Sequence, residues 1–466
     1  MKNPIKGSVL LVTVNQVIAE GAVLVRNILL ARMLGPEQMG LAVMLAIVMR
    51  CLEMVSYLAA DRLLVQARDG NAPLFQANAQ GLEVVRGLLA GLALTALAYP
   101  AALAFGYPET AWAFAALGLV PALRGFVHLD YRRLQRRLRF GPTLRVESIA
   151  NLAGAAAVWP ALHWTGDFSA LLWVSLAQAF AHVVVSHAVA RRAYRLRLDS
   201  RYLRRMLRFG WPMLLNGLVM FGVFQGDRLV VALSVPPEEL ARYALALQLG
   251  LLPTLVLARA SLSLLLPLLA RVQDARIAFQ ARYQRTSTLL LIASFLFVTA
   301  YTLGGNLVVT ALFGDAFAMS PLVLAWLGCA LSIRIMRIAP GTAALARGDS
   351  RTLMQANLWR VGGLLLAAWV GAAGMGLPLI AAAAAFGELA ALLAGVVLLY
   401  RRHGVSTPLP TLPAAFGIVG MAAAWAWLPP HATAQAASAL AITLLSAGLL
   451  YRARRRVHQD RQGATL

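Results

Sequence analysis

Apolar runs long enough to cross a bilayer recur along the whole chain, separated by short polar segments. A helix needs about 20 apolar residues to traverse a hydrocarbon core about 30 Å thick. Runs of that kind lie at 9–30, 39–60, 82–105, 110–129, 146–163, 169–190, 211–233, 241–266, 286–304, 317–344, 352–373, 378–400, 412–428 and 434–451. The pattern predicts an all-α membrane protein of about fourteen transmembrane helices. Several soluble domains are excluded by composition: 60% of the 466 residues are hydrophobic and 13% charged, where soluble chains carry roughly 25% charged residues. After Arg351 only the Gly374-Met375-Gly376 turn and Pro378 separate two runs. The first run starts near Ser8 with no small-residue cleavage site after a short apolar stretch, so it reads as a retained helix.

Charge gives the orientation. The formal net charge is +23, and lysine occurs only as Lys2 and Lys6. Basic residues gather at Lys2 and Lys6, Arg62 and Arg68, 131–145, 191–208, Arg271 to Arg285, Arg347 and Arg351, Arg401 and Arg402, and the YRARRR tail. With fourteen spans, all of these fall on one side, while the segments 106–110, 165–169, 313–317 and 429–434 are nearly bare of basic residues. Short cytoplasmic loops carry the excess of Lys and Arg. The expectation is a multi-pass protein of the bacterial inner membrane with both termini cytoplasmic. The same bias explains the positive charge without nucleic acid and makes anionic lipid headgroups neighbours. Cys51 and Cys329 lie inside apolar runs and the 7 histidines form no cluster, so no disulfide framework, metal site or cofactor is expected. No loop exceeds roughly twenty residues, which leaves no room for a soluble catalytic domain.

The chain repeats itself. At an offset of 201, Asn15 falls on Asn216, Gly21 on Gly222, Ala31 on Ala232, Pro36 on Pro237 and Glu37 on Glu238. Six spans separate the copies, so both start on the same side and are parallel repeats about an axis along the membrane normal. The expected organisation is a six-helix lobe at 1–200, a second at 201–403, and two added helices with a basic tail at 404–466.

The segment ILLARMLGPEQMGLAVMLAIV at 28–48 resembles the first hairpin of the polysaccharide exporters in the multidrug/oligosaccharidyl-lipid/polysaccharide flippase superfamily, through Arg32, Leu34, Gly35, Pro36, Glu37 and Gly40. The stretch 209–235, with Asp227 and Arg228, is similar to that family's seventh helix. The hairpin motif is structural: Gly35 permits the turn, Pro36 starts a helix and Glu37 suits its N-terminus. The resemblance implies a flippase, not an enzyme. It would move a polyprenyl-diphosphate-linked oligosaccharide from the cytoplasmic to the periplasmic leaflet for exopolysaccharide, capsule or O-antigen synthesis. Two lobes would rock about a cationic central cavity. It also implies membrane lipids, a polymerase and other polysaccharide assembly proteins as partners.

Ionisable residues inside spans are functional candidates by default. Arg50 lies near the middle of the second run, Arg26 is in the first and Arg259 in the eighth; Arg334 and Arg337 sit one turn apart in the tenth. Arg86, Arg124 and Arg360 are nearer span ends. The acids are Glu20, Glu53, Glu83, Asp227 and Glu388. Arg50–Glu53 and Glu83–Arg86 are spaced i,i+3, so each is open to an ordinary local pair or to a role in a site. Arg259, Arg334 and Arg337 have no acid within a turn, which suits guanidinium recognition of a diphosphate. In the related peptidoglycan-precursor flippases the cavity arginines lie on the first, second and eighth helices, the spans that hold Arg26, Arg50 and Arg259 here. Asn15 and Arg26 share a helix face, as do Asn216 and Asp227 in the second copy. The repeat thus sets Arg26 against Asp227 with opposite charge, and Asp227 and Glu53 are candidates for coupling or gating. A local partner for Asp227 remains the open alternative.

Trp112, Trp211 and Trp326 read as interfacial anchors, and Pro121, Pro253, Pro267 and Pro340 as helix breaks. Two other classes stay open. A drug or cation exporter would share the fold but is disfavoured by intramembrane arginines. A glycan polymerase or ligase would want a large periplasmic loop, and an acyltransferase a supported membrane histidine; His128, His163, His182 and His187 lie near span ends without supporting acids.

Overall fold

The computed structural model describes residues 4–425, with side chains from residue 14 onward, and every regular element among them is helical. The fourteenth run, the end of the thirteenth and the basic tail lie outside the described residues. The chain divides into two compact units, Met1–Ala241 and Arg242–Leu466.

In the N-terminal unit, α1 (Pro4–Val55) holds the first two apolar runs. Its 52 residues would extend about 78 Å at about 1.5 Å each, far beyond one crossing. It breaks at Gly35, where φ is 74° and ψ 172°. That conformation costs glycine little, and Pro36 restarts the helix where its missing N–H is not needed. Gly40, the last motif residue, serves packing: a Cβ there would sit 2.0 Å from the Pro237 carbonyl oxygen. The repeat-related turns at Gly35-Pro36 and Pro236-Pro237 therefore lie close together.

Next come α2 (Ala60–Gln66), α3 (Pro73–Ala104), α4 (Ala111–Leu117) and α5 (Leu119–Gly125). The segment Pro108–Gly125 is bent by 53° against α6 (Asp130–Arg136). The fifth run is split into α7 (Gly141–Ala156) and α8 (Val158–Thr165), and the sixth is α9 (Ala170–Ala188). α10 (Ser200–Ser234) packs along α1. Asp199 caps it by accepting the Arg201 amide at 2.8 Å, so the basic segment 191–208 is part loop and part helix.

The boundary between units falls inside α11 (Pro237–Ala260), which runs through a π-turn at Ser261–Leu265 into α12 (Leu266–Ala270). The C-terminal unit continues with α13 (Arg276–Phe313), α14 (Pro321–Ala346), α15 (Ser350–Ala372), α16 (Leu377–His403) and α17 (Thr411–Ala424). The two runs after Arg351 are thus separate helices. α14 is the core helix of this unit, packed against α13 and α16, and Ile335, Ala339 and Ala343 join Phe279, Tyr283 and Leu399 in one apolar cluster. Trp326 belongs to this interior. It is buried with its ring 5.9 Å from that of Phe386, so it is a packing residue and not the interfacial anchor its position suggested.

Among the described residues 8 helices are long and apolar enough to cross a membrane, or up to 9 if the bent pair is one span. The first of these holds two of the predicted runs joined across Gly35. Large apolar side chains such as Leu92, Leu97, Trp173, Trp211 and Leu307 are exposed along these helices. In a bilayer that surface meets lipid, where apolar exposure has no cost. The chain is a multi-pass, all-helical membrane protein.

Candidate functional site

The N-terminal unit holds a partly open cavity of about 370 Å³. α1 contributes Arg50 to its lining, the corner after it Tyr57, and α2 Asp61; α3 contributes Glu83 and Arg86, and α5 Arg124. Tyr131 enters from α6, Glu147 and Asn151 from α7, and Gln178 and His182 from α9. Two backbone features place these groups. α3 and α5 cross at glycine: a Cβ on Gly125 would lie 2.9 Å from the Glu83 carbonyl oxygen, so Arg124 comes up beside the Glu83–Arg86 pair. Ala59 is buried at φ 54°, ψ 31°, a left-handed corner costing a non-glycine residue about 1–2 kcal/mol. The corner turns the chain so that the Tyr57 hydroxyl donates to Asp61 Oδ1 at 2.8 Å.

The ionic contacts fall into three groups. Glu53 accepts from Arg124 and, at 3.2 Å, from Arg50 Nη1. Arg26 is half-buried, with Nε donating to Asn27 Oδ1 at 3.3 Å, and it lies in the fields of Arg50 and Arg124. Two guanidiniums thus share one carboxylate, with a third in their field. In the second group, Arg86 binds Glu83 at 2.7 Å and donates to the Ser56 hydroxyl at 3.2 Å. In the third, Arg132 bridges Asp61 at 3.6 Å and Glu147 at 3.1 Å. The lining itself carries three guanidiniums, Arg50, Arg86 and Arg124, and three carboxylates, Asp61, Glu83 and Glu147. It is charge-balanced; the positive excess lies in the group around Glu53.

Several sequence candidates meet here. Arg50 and Glu53 form the i,i+3 pair that their spacing offered, and so do Glu83 and Arg86. Asn15 donates to Glu147 and accepts from the Ser148 hydroxyl at 3.0 Å, so its face of α1 turns toward α7. Arg50 is shallower in its helix than the run implied. The helix stops at Val55, five residues or about 8 Å further on, and the Arg50 side chain is 61% exposed. Asp227 accepts from the adjacent Arg228 amide at 2.9 Å, and Asn216 on the same helix is exposed. Arg259 is exposed one residue before Ala260 and the π-turn. Arg124 is the participant that sequence reading undervalued, because its partner Glu53 is 71 residues away.

Arg334 and Arg337 lie elsewhere, in the C-terminal unit. The missing acid is Glu388 on α16, which is 2% exposed: it sits 2.8 Å from Arg334, 3.4 Å from Arg337 and 2.8 Å from Arg360 of α15. Arg337 also donates to Asn357 Oδ1 at 3.1 Å. The backbone makes this possible, since a Cβ on Gly363 would lie 2.3 Å from the Gly387 Cα. The close crossing brings Arg360, one turn before Gly363, onto the residue after Gly387.

A family model described as "Polysaccharide biosynthesis protein" matches residues 29–321. The succinoglycan biosynthesis transport protein ExoT of Rhizobium meliloti (strain 1021) is 26% identical over 254 residues, 53% of this chain and 50% of that protein. The chain therefore spans about half the length of the curated relative it matches. Among solved structures, the lipid II flippase MurJ in an inward closed conformation superposes with a TM-score of 0.68 at 15% identity, covering 95% of this chain and 99% of that one. An inward-facing multidrug resistance MATE family transporter of the MOP superfamily superposes with a TM-score of 0.60 at 16% identity, over 85% and 98% of the two chains. At these identities the likeness is one of fold.

Proposed function

The chain belongs to the polysaccharide biosynthesis protein family, and on that premise we propose that it is a transporter of a polyprenyl-diphosphate-linked oligosaccharide. It moves the glycan from the cytoplasmic to the periplasmic leaflet of the bacterial inner membrane by alternating access, with both termini cytoplasmic. The observation that carries this reading is the pair of Arg50 and Arg124 sharing the one carboxylate of Glu53, with Arg26 in their field, beside a polar cavity. Guanidiniums in excess of carboxylates suit a diphosphate, which offers several charged oxygens to bidentate donors. Glu53 is the gating candidate, because an arriving phosphate competes with it for Arg50 and Arg124. Asp227 serves as the second gating group against Arg26, a role that the Arg26→Asp/Asp227→Arg charge swap would support by retaining transport where each single reversal loses it.

A cation exporter is the competing assignment, and the lining carboxylates speak to it. Glu83 is held by Arg86, and Asp61 and Glu147 share Arg132. Each is in contact with an internal guanidinium, although the last two share one, so no lining carboxylate stands without a cationic partner for a cationic cargo to replace. The direct test is binding of a fluorescent polyprenyl diphosphate disaccharide to the protein in nanodiscs. Each charge-assisted hydrogen bond contributes about 1.5–3 kcal/mol, so Arg124→Gln should weaken binding by roughly 10- to 100-fold. Glu53→Gln should strengthen it. Unchanged affinity in Arg124→Gln would refute the assignment of the anion site.

A further inference from the structure

Resting on that reading, we propose that the α7–α9 wall of the N-terminal cavity is a sugar subsite that accepts an uncharged sugar next to the diphosphate and excludes an acidic one.

The lining is chemically two-sided. α1, α3 and α5 supply all three lining guanidiniums, Arg50, Arg86 and Arg124; α7 and α9 supply Glu147, Ala150, Asn151, Gln178 and His182. Gln178 Nε2 donates to Asn151 Oδ1 at 2.8 Å, which fixes both amides against each other. That bond uses one donor and one acceptor, and an amide pair has more of each. His182 lines the cavity while its buried Nε2 has no hydrogen-bond partner. Fixed planar groups with donors and acceptors to spare are what the hydroxyls of a sugar ring require, since each hydroxyl both donates and accepts. The cavity volume of about 370 Å³ falls at the small end of ligand clefts, so it takes the sugar nearest the diphosphate and not the whole oligosaccharide.

The charge count gives the selectivity. Around Glu53 two guanidiniums face one carboxylate, but Arg132 alone bridges the two carboxylates Asp61 and Glu147. The first group attracts phosphate. The second has one negative charge in excess and a guanidinium committed at both ends, so the carboxylate of a uronic acid placed there meets like charge. Like charges brought together at a recognition surface suppress the wrong partner strongly.

The test uses the purified full-length protein in nanodiscs and three probes: inorganic phosphate, glucose 1-phosphate and glucuronic acid 1-phosphate, measured by calorimetry. The two sugars differ only in the carboxylate. Glucose 1-phosphate should bind at least threefold tighter than phosphate (about 0.7 kcal/mol) and at least tenfold tighter than glucuronic acid 1-phosphate (about 1.4 kcal/mol). Gln178→Ala should reduce glucose 1-phosphate to the affinity of phosphate while leaving phosphate unchanged, and Glu147→Gln should narrow the gap between the sugars. Equal binding of all three probes, or a preference for the acidic sugar, overturns the subsite and leaves the anion site standing. Binding of none of them overturns both.

Discussion

Glu388→Gln is the sharpest test of the C-terminal unit. The substitution keeps the size of a side chain that is 2% exposed and removes the carboxylate shared by Arg334, Arg337 and Arg360 at 2.8, 3.4 and 2.8 Å. At an effective dielectric of about 20, two unit charges about 4 Å apart attract by about 4 kcal/mol. Three such attractions are offset by the cost of taking four charges out of solvent and by repulsion among the guanidiniums. Removing one partner from a buried ionic group costs about 3–5 kcal/mol, and that is the expected loss in unfolding free energy. The assay is reversible unfolding in mixed micelles, followed by tryptophan fluorescence. The double variant Glu388→Gln/Arg334→Gln should lose less than Glu388→Gln alone, by at least about 1 kcal/mol, because groups in one network are not additive. A loss below about 1 kcal/mol in the single variant, or strictly additive losses in the double, would refute the view that Glu388 holds these helices together.

Three further outcomes follow from the structure. Asp349 caps α15 through the Thr352 amide at 3.0 Å and also meets Arg402 and His403. Burial raises its pKa, but the Thr352 hydroxyl and amide, His403 and Arg402 outweigh that and hold it well below the usual carboxylate range. A depressed carboxylate contributes stability that is complete above its unfolded value of about 3.9 and fades as pH falls through the lower folded value. Asp349→Ala should therefore cost about 1–2 kcal/mol at pH 7, and the gap from wild type should begin to narrow below about pH 4 and shrink further with acidity, as read from unfolding midpoints across pH. Gly363→Ala would drive a Cβ into the Gly387 backbone and should cost about 1–3 kcal/mol. Gly21→Ala, with nothing within 4 Å of the added Cβ, should stay within about 0.5 kcal/mol of wild type; a reversed order in thermal stability contradicts the packing.

What could be read in the sequence was what is local. The apolar runs and the Gly35-Pro36 break depend on neighbours in the chain, and helix spacing puts Arg50 on Glu53 and Glu83 on Arg86. What escaped was long-range pairing. Arg334 and Arg337 have no acid nearby in sequence, yet Glu388 reaches them from 54 residues away for Arg334, because α14 packs on α16 and glycine lets α15 approach α16. Arg124 joined Glu53 for the same reason, across 71 residues from α5 to α1. Arg50 was set too deep because hydropathy does not mark where a helix turns a corner, and Ala59, an ordinary residue, makes that corner in a left-handed conformation. Trp326 misled in the same way: tryptophan favours membrane interfaces on average, but packing against Phe386 decides its place.

The central claim is that Arg50 and Arg124, sharing Glu53, serve the passage of a diphosphate-linked glycan. It is tested most directly in proteoliposomes of phosphatidylethanolamine and phosphatidylglycerol loaded with a fluorescent polyprenyl diphosphate disaccharide, with dithionite quenching to report the leaflet. The wild-type protein should make the inner-leaflet pool accessible at a rate proportional to protein. Arg50→Gln/Arg124→Gln, confirmed as folded by its unfolding midpoint, should lower that rate to that of protein-free vesicles. Translocation at the wild-type rate by the folded double variant would contradict the account.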